Sequence, residues 1–240
     1  MICEICWILV YYIESDKNDT ERISRIVGLD VMTTILPFLE SQENKIIRPL
    51  LQLLIIITAT NEEFFNHLID DAVINNLKRN LKSDLKILRS DSCQVIQNLA
   101  NAGSEIYARV FRPDIIDILI NLALNDPSAQ VKAYAINALY KFIEFAGVSS
   151  INYLLVNCDL LAVLFTCLDK HIDSIQMNAL DCIELLLHFA DLVQHPGEAN
   201  EIVSAIIQKG GLERIEVLCQ SNNNVTAVLA NKIISQYFSS

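Results

Sequence analysis

The chain is poor in the residues that punctuate turns: six glycines and five prolines in 240 residues. A turn-rich β fold needs many such breakers, so their scarcity beside abundant Leu, Ile, Asn and Ala points to helices. Basic residues are also short, 18 Lys and Arg against 29 Asp and Glu, for a net charge of −11. Phosphate binding needs a basic surplus, so a nucleic-acid partner is disfavoured. The longest apolar run, LLQLLIIITA (50–59), falls far short of the ~20 residues of a membrane span. CWILVYYI follows Glu4 without a basic leader or cleavage site, a poor match to a signal peptide. No membrane partner is expected, and the chain is expected in the cytoplasm and nucleus. The sequons at Asn18 and Asn224 are then fortuitous.

Catalytic and metal-binding patterns are equally thin. The four histidines, His67, His171, His188 and His195, are scattered and lack a His-x-x-x-His or carboxylate partner, so no metal site is expected. There is no recognisable Ser or Cys nucleophile motif and no Gly-rich phosphate loop. No enzyme activity and no cofactor are expected. The seven cysteines form no regular framework, and most sit among apolar residues as reduced core thiols do. Cys3-x-x-Cys6 is the one pair at redox or metal spacing, and without a second pair it reads as part of a helix.

What the chain does have is a repeat. ICEICWILVYYI (2–13), IIRPLLQLLIII (46–57), LRSDSCQVIQNL (88–99), VKAYAINALYKF (131–142), IQMNALDCIELL (175–186) and VTAVLANKIISQ (225–236) share an apolar frame around a central residue. Those residues are Trp7, Gln52, Gln94, Asn137, Asp181 and Asn231, at spacings of 45, 42, 43, 44 and 50. Before each of the last five stands a second helical segment: VMTTILPFL, VINNLKRNL, IIDILINLAL, LLAVLFTCL and LERIEVL. Shorter third segments precede four of these: ERISRIVG, EEFFNHLID, SEIYARVF and SSINYLLVN. Three helices in about 43 residues is the armadillo pattern.

The predicted fold is therefore all-α, a right-handed armadillo-repeat superhelix of about five repeats plus one leading helix, in a single domain over 1–240. Residues 1–14 form the last helix of an incomplete repeat. Repeats cover 15–60, 61–102, 103–146 and 147–190, a loop covers 191–202, and a capping repeat covers 203–240. Gly103 and Gly147 are expected as left-handed caps, Pro113 as a helix junction, and Pro49 in the first turn of its helix. FADLVQHPGEANEI (189–202) is expected as a long connection accounting for the spacing of 50.

In a stacked array the long helices line one wall, and the central residue and the one four later project from it. The resulting ladder is Trp7/Tyr11, Gln52/Ile56, Gln94/Asn98, Asn137/Lys141, Asp181/Leu185 and Asn231/Ser235. Helices ~8–10 Å apart would meet every second or third residue of an extended peptide, which advances ~3.3 Å per residue. Amide side chains can both donate to and accept from its backbone. Trp7, Tyr11, Gln52, Gln94, Asn98, Asn137 and Asp181 are the candidate peptide-binding residues. The same ladder fits a peptide scaffold or a protein with no groove ligand.

GGLERIEVLCQSNNNVTAVLANKIISQYF (210–238), with its Gly-Gly-Leu opening, Ile-Glu in the helix, Asn-rich break and Tyr-Phe ending, resembles the last armadillo repeat of the importin-alpha family. CWILVYYIESDKNDTERISRIVG (6–28), with Trp7, Tyr11 and Glu21-Arg22-Ile23, resembles one of its middle repeats. The resemblance implies a nuclear-import role, with nuclear localisation signals gripped by Trp and Asn on the long helices. Here only Trp7 and Asn98 keep those types. Gln94 and Asn137 stand for tryptophans, Gln52 and Ile56 for Arg and Asn, and Lys141, for an Asn, would repel a basic peptide. The resemblance thus implies a weakened minor cargo groove, or changed specificity in a diverged paralogue. It also implies contact of the C-terminal repeat with the export receptor and nucleoporins, with Glu213 and Glu216 as candidates. Set against the family, the chain is expected to begin late, without the importin-beta docking segment.

Overall fold

A computed structural model describes residues 2–15, 20–28, 31–60, 66–193 and 200–239. Every regular element among them is helical. The chain divides into two compact units, residues 1–119 and 120–240.

In the first unit the order is α1 (Ile2–Glu14), α2 (Thr20–Gly28), α3 (Val31–Ile35), α4 (Asn44–Thr58), α5 (Asp71–Asn80), α6 (Lys86–Ala100), α7 (Ser104–Val110) and the start of α8 (Pro113–Asn125). Short 3-10 turns follow α3 at Leu36–Glu40 and precede α5 at Asn66–Leu68. The long helices pack side by side, α1 on α4 and α4 on α6. Leu50, Leu51, Leu53, Leu54 and Ile57 of α4 are fully buried, because a helix with neighbours on both flanks exposes only one edge.

The second unit continues with α9 (Ala129–Glu144), α10 (Val148–Asn152), α11 (Leu160–Leu168), α12 (Asp173–Val193), α13 (Glu201–Gln208), α14 (Gly211–Leu218) and α15 (Asn224–Tyr237). A π-turn at Tyr153–Asn157 extends α10. Again the long helices are neighbours, α9 on α12 and α12 on α15, while α11 packs on α12 and α14. In α9 the buried residues Val131, Ala135, Leu139 and Phe142 recur at three and four residues, the period of one helix face. Asparagines start α13 and α15. The Asn200 side chain accepts from the backbone N–H of Ile202 and Val203, and that of Asn223 from Val225 and Thr226, at 3.0–3.2 Å.

Several local expectations change. Helix α4 begins at Asn44, so Pro49 lies inside it rather than in its first turn. Neither glycine forms the expected left-handed cap: Gly103 has a positive φ (86°) with ψ 167° and precedes α7, and Gly147 is extended (φ −80°) and caps the start of α10. The second unit's left-handed glycine is Gly210 (φ 69°). It precedes Gly211, where a Cβ would come within 2.2 Å of the Phe165 ring. The Gly-Gly pair therefore serves a backbone turn and a close helix–helix approach. Pro113 opens α8, where its missing N–H is harmless. Residues 189–193, expected in the connection, continue α12 to Val193; residues 194–199 of that connection, His195, residues 62–65 and the sequon at Asn18 and Asp19 lie outside the described residues. At the other sequon Asn224 is exposed and Thr226 is fully buried in the first turn of α15. Among the described residues no single helix is long and apolar enough to cross a membrane.

Candidate functional site

The positions of interest are the solvent edges of the long helices. On α9 the buried stripe leaves Tyr134, Asn137, Tyr140 and Lys141 partly exposed. On α12 the matching edge holds Asn178, Asp181, Glu184 and Leu185, and on α6 it holds Gln94, Gln97 and Asn98. Gln94, Asn137 and Asp181 make no hydrogen bond to the described residues, so their polar groups are open to a partner.

The other rungs are engaged within the protein. In the first unit the rings of Trp7 and Tyr11 stack at 5.8 Å, and the Arg48 guanidinium lies 5.6 Å from the centre of the Trp7 ring. Gln52 Nε2 donates to Asp91 Oδ2 at 3.0 Å. Asp91 is buried in α6, and burial raises its pKa more than the Gln52 hydrogen bond and the Arg48 charge lower it. Asn98 Nδ2 donates to the carbonyl of Ile55 at 3.1 Å and to Thr58 Oγ1 at 3.2 Å. It adds a second donor to the Ile55 carbonyl, which also accepts from the backbone N–H of Ala59 at 3.2 Å at the end of α4. In the second unit Asn231 turns back to the carbonyls of Cys219 and Ala227.

Lys141 does not stand as a free repelling charge. Its Nζ is 2.5 Å from Glu144 Oε2 and lies 5.4 Å and 5.7 Å from the centres of the Tyr140 and Phe145 rings. A nearby carboxylate and two π faces compensate the ammonium locally.

Asp181 borders a depression of about 310 Å³ between α9, α12 and α15, walled by Tyr140, Leu185 and Tyr237. Burial, then the neighbouring Glu184, raises the Asp181 pKa, and Lys232 lowers it in part. The ladder pattern missed Tyr140, Glu184 and Lys232. Tyr140 and Glu184 lie three residues beyond Asn137 and Asp181, the adjoining position on the same helix edge. Arg48 and Asp91 had no signal of their own, since both act across a helix pair.

Glu213 and Glu216 are exposed on α14, in the row of second helices and not on the long-helix edges. Glu213 borders a separate depression of about 590 Å³. The Cys3-x-x-Cys6 pair holds free thiols on α1. Burial and then Cys3 push the Cys6 thiol up to about 11, the opposite of a poised redox or metal-binding thiolate. No group of three or more His, Cys, Asp or Glu among the described residues could hold a metal.

No protein-family model matches the chain. It is similar to importin subunit alpha-2 of Oryza sativa subsp. japonica, 24% identical over 245 aligned residues, covering 98% of this chain and 45% of that protein. The chain thus spans less than half the length of the curated relative it matches. Among solved structures it resembles a designed armadillo-repeat protein in complex with a (KR)4 peptide, with a TM-score of 0.79 and 17% identity, covering 97% of this chain and 90% of that one. It also resembles a computationally designed armadillo-repeat protein for modular peptide recognition, with a TM-score of 0.79 and 18% identity over 98% and 90% of the two chains. The fold is that of armadillo-repeat proteins.

Proposed function

We propose that the chain is a non-enzymatic armadillo scaffold that binds extended peptide segments along the solvent edges of its long helices and acts in nuclear protein import. The observation that carries this reading is the state of Gln94, Asn137 and Asp181. Each is a half-buried polar group on the open edge of a helix that is otherwise packed, and each lacks an internal partner. The two amides can hold an extended backbone by paired donor and acceptor contacts, and the Asp181 carboxylate can accept from a backbone N–H or a cationic side chain, at little cost in side-chain ordering. The peptide complex of a designed relative and the import-receptor relative support the ligand class and the pathway. On the same reading the protein passes between cytoplasm and nucleus, and Glu213 and Glu216 offer an acidic edge to an export receptor or nucleoporins.

A second reading, altered specificity within the same scaffold, is favoured in the first unit. There Arg48 already covers Trp7, and the donors of Gln52 and Asn98 are engaged. A lysine-rich segment gains less on that wall than a segment that brings its own carboxylates to Arg48.

Fluorescence anisotropy with labelled (KR)4, a basic localisation-signal peptide and an acidic peptide tests both. Saturable binding of a basic peptide that weakens in Asn137→Ala supports the import reading. Preference for the acidic peptide that is lost in Arg48→Ala supports altered specificity. No binding of any of the three up to ~100 μM, weaker than about −5.5 kcal/mol, removes peptide recognition altogether.

A further inference from the structure

The depression between α9, α12 and α15 differs from the rest of the long-helix edge because it already contains a cation. Lys232, from α15, forms an ion pair with Glu184 of α12. The lysine side chain is 58% exposed while the glutamate is 21% exposed, so the ammonium lies over the carboxylate from the solvent side. Beside it Asp181 accepts no hydrogen bond from the described residues. Lys232 pairs with Glu184 and leaves the Asp181 carboxylate unpaired beside it, and the Tyr140 and Tyr237 rings border the same space. Gln236 also borders it and donates from Nε2 to the Tyr237 hydroxyl at 3.0 Å. His188 also borders the depression.

We propose that this depression is a seat for one cationic side chain of a bound segment, and that Lys232 is a built-in competitor which that side chain displaces. This rests on the peptide-binding reading above. An incoming guanidinium carries several donors, enough to serve Asp181 and Glu184 together, and it stacks on a tyrosine face. Lys232 cannot be lost by dissociation, but its exposed pairing is easily exchanged. The latch therefore rejects weakly cationic segments and yields to those that present a well-placed arginine or lysine. Selectivity at this end of the chain is then set by a cation of the protein itself that competes for the seat.

The test is anisotropy with labelled (KR)4 on wild type, Lys232→Gln, Asp181→Asn and, as a control for general charge, Lys170→Gln. Lys232→Gln is expected to bind about 3–10-fold tighter, Asp181→Asn at least about 3-fold weaker, and Lys170→Gln within about twofold of wild type. Lys232→Gln no tighter than Lys170→Gln, or Asp181→Asn equal to wild type, overturns the latch while leaving peptide binding in place. A second probe separates the two ideas in the other direction. Agmatine, a small guanidinium amine, should shift the Tyr140 and Tyr237 ring signals in NMR spectra, and more in Lys232→Gln than in wild type. If it does so when (KR)4 does not bind, the seat stands and the extended-peptide reading falls. No agmatine shift in either protein, together with no (KR)4 binding, refutes the seat.

Discussion

At the scale of single residues, one amide ladder divides into two kinds of group. Asn98 matches the residue type that the importin-alpha resemblance assigns to peptide binding, yet its donor serves the last turn of α4. Asn98→Ala should therefore lower unfolding free energy by about 1 kcal/mol in urea melts and change peptide affinity less than Asn137→Ala does. Asp91 gives a pH test. Its pKa is raised in the folded state, chiefly by burial, so the folded chain holds this proton more tightly than the unfolded chain. The ionised carboxylate then costs stability above the raised pKa, and that cost disappears as pH falls to the ordinary aspartate range. Asp91→Asn keeps an acceptor for Gln52. It should melt at a higher temperature than wild type at pH 7, with the gap closing on acidification; a gap that widens contradicts the account.

At the scale of elements, the sequence pattern located the long helices well, because their buried stripes repeat every three to four residues over three or four turns. It was weaker wherever a helix end or a backbone angle decides. Periodicity cannot show that Gly147 is extended while Gly210 is left-handed, nor that α12 continues past Ala190 to Val193. The Gly-Gly opening of α14 was visible as a motif, but its reason, contact of Gly211 with Phe165 of α11, needs the packed pair. Gly211→Ala should cost about 1–3 kcal/mol through overpacking, read by thermal unfolding. A loss of helix signal confined to the last three helices would locate the damage. Asn223 caps α15 and also donates to Asp173 at 3.1 Å. Asn223→Ala should cost about 1 kcal/mol, measurable as faster amide exchange in the first turn of α15.

At the scale of the whole molecule, the repeat period and the resemblance together placed the fold, and the structural neighbours agree across nearly the full chain. The exposed edges proposed as the site were legible in part. Gln94, Asn137 and Asp181 keep the free edges that the register implied. Trp7, Gln52, Asn98 and Asn231 share the register but are engaged inside the protein, and the groups that engage them lie up to 43 residues away in sequence. No one-dimensional pattern reports which of two polar groups on facing helices finds the other. Stability in a stacked array is a sum of neighbouring interfaces. Helix α12, with a long helix on each side, should therefore show slower amide exchange than α1, which has α4 as its long-helix neighbour among the described residues and exposes Ile8 and Tyr11.

The central claim concerns where a ligand lies. Titration of (KR)4 into isotope-labelled protein, followed by backbone amide shifts, locates it directly. The prediction is that shifts cluster at Asn137, Asp181 and Lys232 and along the open edges of α9, α12 and α15. Shifts confined to α8, α11 and α14, or none at saturating peptide, would contradict it.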